Sequence, residues 1–375
     1  RLGVFPAMLE KIRLLISEPI ERVILLGSAS MGEIDNDTRI NLTDEQETLA
    51  SKIHREAMVI DGTALAYTLE PPFTNRLIEA GVSTVVVTVF IGVETGIGSH
   101  TEAGQRAIDR TLRLIRQDES RMHLVLEVED FYRARDAGKL GVVMAFQNAT
   151  PFGDDLGLVD SFHTLGIRCV QITYNQRNLA ADGCLEPEGG GLSLYGSELL
   201  HALQDAGIAV DLSHVGDNSV DHAIRVAERP LAFTHSNARE LCDNTRNKTD
   251  DHILALTRGG GVIGINAFPA FLRGDGSRPH IQDLLDQADY LVRLAGVKAV
   301  SLGLDFIEGW TDVEKVNLRR HTRAFGISYD FPVGQEGVSQ LPNLTRGLLS
   351  RGHDAETVKG ILGENLLEYF GRVWK

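Results

Sequence analysis

The chain has 375 residues, 43% hydrophobic and 24% charged, an ordinary globular composition that excludes a disordered, collagen-like or disulfide-scaffold protein. Its 37 Lys+Arg against 52 Asp+Glu give a net charge of −15, a field that repels phosphate backbones and so excludes nucleic acid as a partner class. Three cysteines (Cys169, Cys184, Cys242) without C-x-x-C spacing make neither a disulfide framework nor a thiolate zinc site, and no apolar run approaches the roughly 20 residues that span a bilayer.

In chain order, residues 1–50 read as an N-terminal helical extension and 51–375 as one barrel domain. Amphipathic helices are expected at Pro6–Ile16 and Glu18–Leu26, then a polar stretch, Gly32–Asn41; Val23–Gly27 is too short for a signal-peptide core. A helix start is signalled at Thr43, which can cap while Gln46 closes a capping box. From Met58 the rhythm changes. Short β-branched apolar runs recur, each followed by a turn and a helical pattern: Met58–Ile60, Ser83–Phe90, Val142–Phe146, Cys169–Thr173, Ile208–Leu212, Leu231–Thr234, Val262–Asn266 and Ala299–Leu302. Eight such units predict a parallel sheet closed into a (β/α)8 TIM barrel, with a doubly wound open sheet as the alternative. A ninth run, Leu124–Val128, precedes the helical Glu129–Ala137 and reads as peripheral.

In a barrel of this kind the active site lies at the C-terminal ends of the strands. Polar groups collect there: Asp61-Gly62-Thr63, Gln147-Asn148, Tyr174-Asn175, Ser213-His214, His235-Ser236, Asn266 and Asp305. His214 and His235 end successive strands, so their imidazoles can converge on one ion, or form a hydrogen-bonded pair that shapes the mouth. Asp305 can bind a metal or take a proton from an attacking water, or else cap the following turn. Arg246 suits a substrate carboxylate, or a loop-fixing salt bridge. Gly259–Gly264 fits G-x-G-x-x-G but precedes a strand, so it does not read as a dinucleotide site. Gly189-Gly190-Gly191 reads as a loop over the mouth, and Arg319-Arg320-His321 as a solvated helix face.

These residues carry a family resemblance. Gln171-Ile172-Thr173-Tyr174-Asn175 with Asn178 and Asp182-Gly183, Asp211-Leu212-Ser213-His214, Thr234-His235-Ser236-Asn237-Ala238, Arg246-Asn247, Gly303-Leu304-Asp305-Phe306 and Gly363-Glu364-Asn365-Leu366 together resemble the membrane (renal) dipeptidase family of zinc peptidases, over approximately residues 50–371. The resemblance implies a barrel with two zinc ions bridged by a glutamate and a water, hydrolysing a dipeptide. His214 and His235 match the ligands of the second zinc, Arg246 the carboxylate-binding arginine and Asp305 the acidic residue of the last strand. Three positions depart from the family. Asp61-Gly62-Thr63-Ala64-Leu65 lacks the His-x-Asp ligands of the first strand, the bridging glutamate is replaced by Gln147, and Tyr174 stands where the animal enzymes place a substrate-contacting histidine.

Two clustered divalent ions need several anionic ligands to offset their repulsion. The expectation is therefore a dipeptidase-like hydrolase of a small amide or dipeptide-derived substrate with a free carboxylate, without a dinuclear centre. At most one zinc or other divalent ion is held by His214 and His235 with Gln147 or Asp305. Asp305, His214 and His235 are the catalytic candidates, and Arg246, Tyr174, Asn178 and Gln147 the substrate-binding ones. The alternatives are a metal-independent lyase, isomerase or deacylase acting on a modified amino acid or peptide metabolite, and a non-catalytic ligand-binding barrel. A homodimer is expected, with a small-molecule substrate and no membrane span. The expected location is cytoplasmic, with periplasmic or secreted placement open.

Overall fold

The computed structural model describes residues 40–92, 99–309 and 329–374. The helices expected at Pro6–Ile16 and Glu18–Leu26, most of the polar stretch after them and the run Arg319-Arg320-His321 lie outside the described residues. Thr43 does cap the helix Asp44–Glu56: Gln46 N donates to its hydroxyl at 3.2 Å, and Thr43 N donates to Gln46 Oε1 at 2.9 Å. This helix runs across position 50 and places Ala50 and Ile53 in the core.

Among the described residues nine strands follow: β1 (Ile60–Leu65), β2 (Thr84–Phe90), β3 (Met122–Leu124), β4 (Leu140–Phe146), β5 (Ile167–Gln171), β6 (Ala209–Asp211), β7 (Ala232–Phe233), β8 (Val262–Ile265) and β9 (Val300–Leu302). All their pairings are parallel. β2 pairs with both β1 and β4, and β1 pairs with β9, so eight strands close into the ring of a (β/α)8 barrel while β3 attaches only to the start of β4. The fully buried β2 (TVVVTVF) and β4 (LGVVMAF) show why the ring is parallel: such strands need cover on both faces, here helices outside and other strands inside.

Three strands are displaced from expectation, β5 running Ile167–Gln171 instead of Cys169–Thr173. The ninth run forms its strand earlier, at Met122–Leu124, and remains peripheral to the ring. The first strand begins at Ile60 instead of Met58 and includes Asp61, Gly62 and Thr63, which were expected just beyond it. Its register against β2 slips between Asp61 and Ala64, so the polar residues sit in a bulge. A β-carbon on Gly62 would stand 2.7 Å from both Leu302 O and Thr234 O, so only glycine lets β1 approach its neighbours this closely. Asp61 Oδ1 then accepts Leu304 N at 2.8 Å, which extends the closure where the ladder between β1 and β9 is short.

One residue from nearly every strand (Ile60, Val86, Val143, Cys169, Ala209, Ala232, Val262) packs into the barrel interior with Leu366 and Phe370 of the C-terminal helix Asn365–Val373. That helix closes the floor and leaves the strand C-termini to the site. The three cysteines are buried and free. Among the described residues no helix is long and apolar enough to cross a membrane.

Candidate functional site

The ends of β6 and β7 are stapled by one carboxylate. Asp211 Oδ1 accepts Ser213 N (2.9 Å), Ser213 Oγ (2.6 Å) and Thr234 N (3.0 Å), and its Oδ2 accepts Thr234 Oγ1 (2.8 Å). Fixing both backbones brings the next side chains together: His214 Nε2 and His235 Nε2 lie 3.0 Å apart. Gln147 Nε2 is 3.3 Å from the same His235 nitrogen, and Tyr174 stacks on the His214 ring at 4.4 Å. On the far sides, His214 Nδ1 meets Asn175 Oδ1 at 2.6 Å, and His235 Nδ1 meets Thr234 Oγ1 at 2.7 Å and Thr63 Oγ1 at 2.8 Å. Burial, reinforced by the nearby Arg246 guanidinium, holds both imidazoles well below their ordinary range, so both are neutral at pH 7.

Arg246 is fully buried, and most of its guanidinium is committed to the scaffold. Nη1 donates to Ser213 O (2.6 Å) and Ser236 Oγ (2.7 Å), and Nη2 donates to His235 O (2.6 Å). Its Nε is buried without a partner, which leaves that N–H and one Nη2 proton for a ligand. The outer edge of the fork expected to grip a carboxylate is thus already used; the Nε side remains. Asp305 adopts a left-handed backbone (φ 58), which aspartate tolerates, and its Oδ2 accepts Asn266 Nδ2 at 3.3 Å. The same Asn266 nitrogen donates to His235 O at 3.3 Å, linking the carboxylate to the histidine pair. Burial lifts Asp305 to about 6, with Arg246 and Asn266 pulling the other way.

His214, His235, Gln147, Tyr174, Arg246 and Asp305 therefore gather at the mouth. Asn178 does not join them. Its Nδ2 donates to Asn148 Oδ1 (2.9 Å) and Ile172 O (2.7 Å), and its Oδ1 accepts Ala180 N (2.8 Å) and Ala181 N (3.1 Å), so both ends of the amide tie down the loop instead of facing a substrate. At the first strand, a cavity of about 30 Å³ is bounded by Asp61, Thr63, Phe73, Leu77, Phe306 and Glu308.

Several residues that build the site had no role assigned from sequence. Asn175 and Thr63 were visible only as polar neighbours of strand ends, and nothing in their spacing reveals which imidazole each would touch. Asn266 stood at a strand end without a partner to give it meaning. Lys248 lies fully buried, donating to Val215 O at 2.8 Å over the Phe233 ring, and burial lowers it to about 7. Its place in a charged loop string gave no hint of that. Asp211 could have been found, because an Asp two residues before a serine is a pattern for side-chain capture of backbone N–H groups.

Residues 38–318 match the model of the membrane dipeptidase family (peptidase family M19). An uncharacterized dipeptidase of Schizosaccharomyces pombe is 31% identical over 275 residues, covering 72% of this chain and 61% of that protein. A dipeptidase of Claviceps purpurea is 26% identical over 309 residues, covering 80% of this chain and 68% of its own length. The chain thus spans about three fifths of the length of the yeast relative it matches. Among solved structures, an amidohydrolase from Pseudomonas aeruginosa superposes with a TM-score of 0.79 at 29% identity, over 87% of this chain and 99% of that one.

Proposed function

Because the chain belongs to the membrane dipeptidase family (peptidase family M19), we propose that it hydrolyses a small amide or dipeptide-derived substrate carrying a free carboxylate. The observation that carries this reading is the convergence of two neutral imidazole nitrogens at 3.0 Å beside a buried arginine whose Nε has no partner. The family is generally metal-dependent, and the donors here suit one ion better than two. Thr63-Ala64-Leu65 and Gln147 offer no carboxylate to bridge or separate two divalent charges. Among the described residues no three His, Cys, Asp or Glu side chains group around a point. A single ion would take His214 and His235 as its donors; the Gln147 amide, whose Nε2 lies 3.3 Å from His235 Nε2, would turn to bring its oxygen in as a third, while Asp305 stays on Asn266 as the base. Neutral donors of this kind bind less tightly than an anionic set. When bound, such an ion supplies Lewis acidity toward the amide carbonyl and acidifies water.

The chain's own residues do the rest. Arg246 Nε–H and its free Nη2–H orient the substrate carboxylate in a desolvated pocket, where a charge-assisted bond is strongest. Asp305, ionised above about pH 6, accepts the proton of the attacking water and returns it to the leaving amine. Turnover of dipeptides and N-acyl amino acids, assayed with one equivalent of zinc, cobalt or manganese and again in EDTA, tests the proposal. The expected result is metal-stimulated release of amine that rises through about pH 6, is abolished by Asp305→Asn, and is lost when the substrate carboxylate is amidated. Equal hydrolysis of the amidated analogue would remove Arg246 from its role. Full turnover in EDTA would favour the metal-independent chemistry that the missing first-strand ligands also permit.

A further inference from the structure

The hydroxyls around His235 have no proton left to give it. Thr63 Oγ1 donates to Gly62 O at 2.7 Å, and Thr234 Oγ1 donates to Asp211 Oδ2 at 2.8 Å. With their protons so placed, each accepts from His235 Nδ1, and that nitrogen carries the ring hydrogen. On His214 the partner of Nδ1 is an amide oxygen, an acceptor, so Nδ1 carries the hydrogen there too. Both Nε2 atoms are left as lone pairs 3.0 Å apart, and Gln147 Nε2 donates to that of His235 at 3.3 Å. The two lone pairs repel each other, Gln147 offsets only one of them, and a cation against both would take the place of that contact.

We propose that Thr63 and Asn175 are positioning residues that hold His235 and His214 as Nδ1–H tautomers, presenting both Nε2 lone pairs to a single divalent ion. The proposal rests on the one-ion reading above and adds what makes that ion's seat. Partners on the far nitrogen fix the tautomer and raise the basicity of a ligating histidine. Thr63 stands on the first strand where the family resemblance places a ligand, so a lost ligand has become a support for a retained one. The bulge that contains it turns its hydroxyl toward His235.

Asn175 is built into its place at some cost. It adopts a left-handed backbone (φ 58), and a β-carbon on Gly183 would stand 2.2 Å from Asn175 C, so the following turn packs directly on it. Its Oδ1 also accepts the Cys184 thiol at 3.5 Å, while its Nδ2 is buried without a partner. The amide thus spends its oxygen on His214 and Cys184 and leaves its donor unused.

Four variants separate support from mere packing. Thr63→Val keeps the shape and removes the acceptor, whereas Thr63→Ser keeps the acceptor. Asn175→Gly keeps the left-handed backbone and removes the acceptor, whereas Asn175→Asp keeps both. Circular dichroism and thermal melts establish that each folds. Zinc titration calorimetry should show wild type, Thr63→Ser and Asn175→Asp binding one equivalent with similar affinity, and Thr63→Val and Asn175→Gly binding roughly 10- to 100-fold more weakly. Long-range ¹H–¹⁵N correlation spectra of the zinc-free protein should show hydrogen on Nδ1 of both rings. It should move to Nε2 of His235 in Thr63→Val and of His214 in Asn175→Gly. Zinc binding unchanged in the acceptor-free variants, or Nε2–H on either wild-type ring, overturns the proposal. Wild type that takes up no zinc defeats the one-ion reading, and the zinc-free spectra then still decide whether Thr63 and Asn175 set the tautomers.

Discussion

Asp61 is a carboxylate used as a backbone clamp. It is 4% exposed, and its Oδ1 accepts Thr63 N at 3.2 Å and Leu304 N at 2.8 Å. Burial lifts it from 3.8 to about 7, the two N–H bonds pull it down, and the charge of Asp305 pushes it further up. An acid raised on folding keeps in the folded state a proton that the unfolded chain has already released. Its stabilising contribution is full below about pH 4 and is lost as pH climbs to about 7, at about 1.4 kcal/mol per unit of displacement. Asp61→Asn keeps the accepting oxygen and removes the ionisation. Urea unfolding should therefore show Asp61→Asn gaining on wild type more at pH 8 than at pH 5. Parallel pH responses of the two proteins would mean that Asp61 ionises normally in the fold. The same residue marks a limit of sequence reading: its position near a strand end was plain, but whether it faced an ion or a backbone N–H depended on a neighbour 243 positions away.

At the level of strands, the apolar runs revealed the barrel because a parallel strand buried on both faces leaves a continuous hydrophobic signature. The first strand was read too early for the same reason. Asp61, Gly62 and Thr63 interrupt the apolar pattern, and nothing local says that a polar bulge can continue a ladder. The close approach of the residue after β7 to β8 and to the residue after β9 depends on a different device. β-carbons on Gly264 and Gly303 would stand 2.0 Å and 1.9 Å from Thr234 O, so these strands meet only because both positions lack a side chain. Gly303→Ala should lower stability by roughly 3 kcal/mol or more, since the obstructing atom is backbone and cannot rotate away. Gly189→Ala, whose added carbon would meet nothing nearer than 3.5 Å, serves as the control and should leave the unfolding midpoint unchanged. Equal midpoints for the two variants would show that the strands can part without penalty.

Across the whole molecule, the packed floor and the candidate site occupy opposite ends of the barrel, as the fold allows. The gathering of His214, His235, Arg246 and Asp305 at one end was legible because strand ends can be counted. The floor was not, because it depends on a helix at the far end of the chain. There Phe370 stacks on Phe131 at 5.8 Å and on Trp374 at 4.5 Å, and Trp374 Nε1 donates to Arg168 O at 3.1 Å. Phe370 is fully buried, so Phe370→Ala removes a large side chain from a site that cannot collapse around the loss, costing about 3–5 kcal/mol. None of these contacts reaches the histidine pair, whose scaffold is Asp211, Thr63 and Asn175. Phe370→Ala should therefore unfold at markedly lower denaturant while its zinc affinity, measured at a temperature where it remains folded, matches wild type. A variant that loses affinity in step with stability would show that floor and mouth are one cooperative unit, and that the site's geometry is held from below as well as by its own hydrogen bonds.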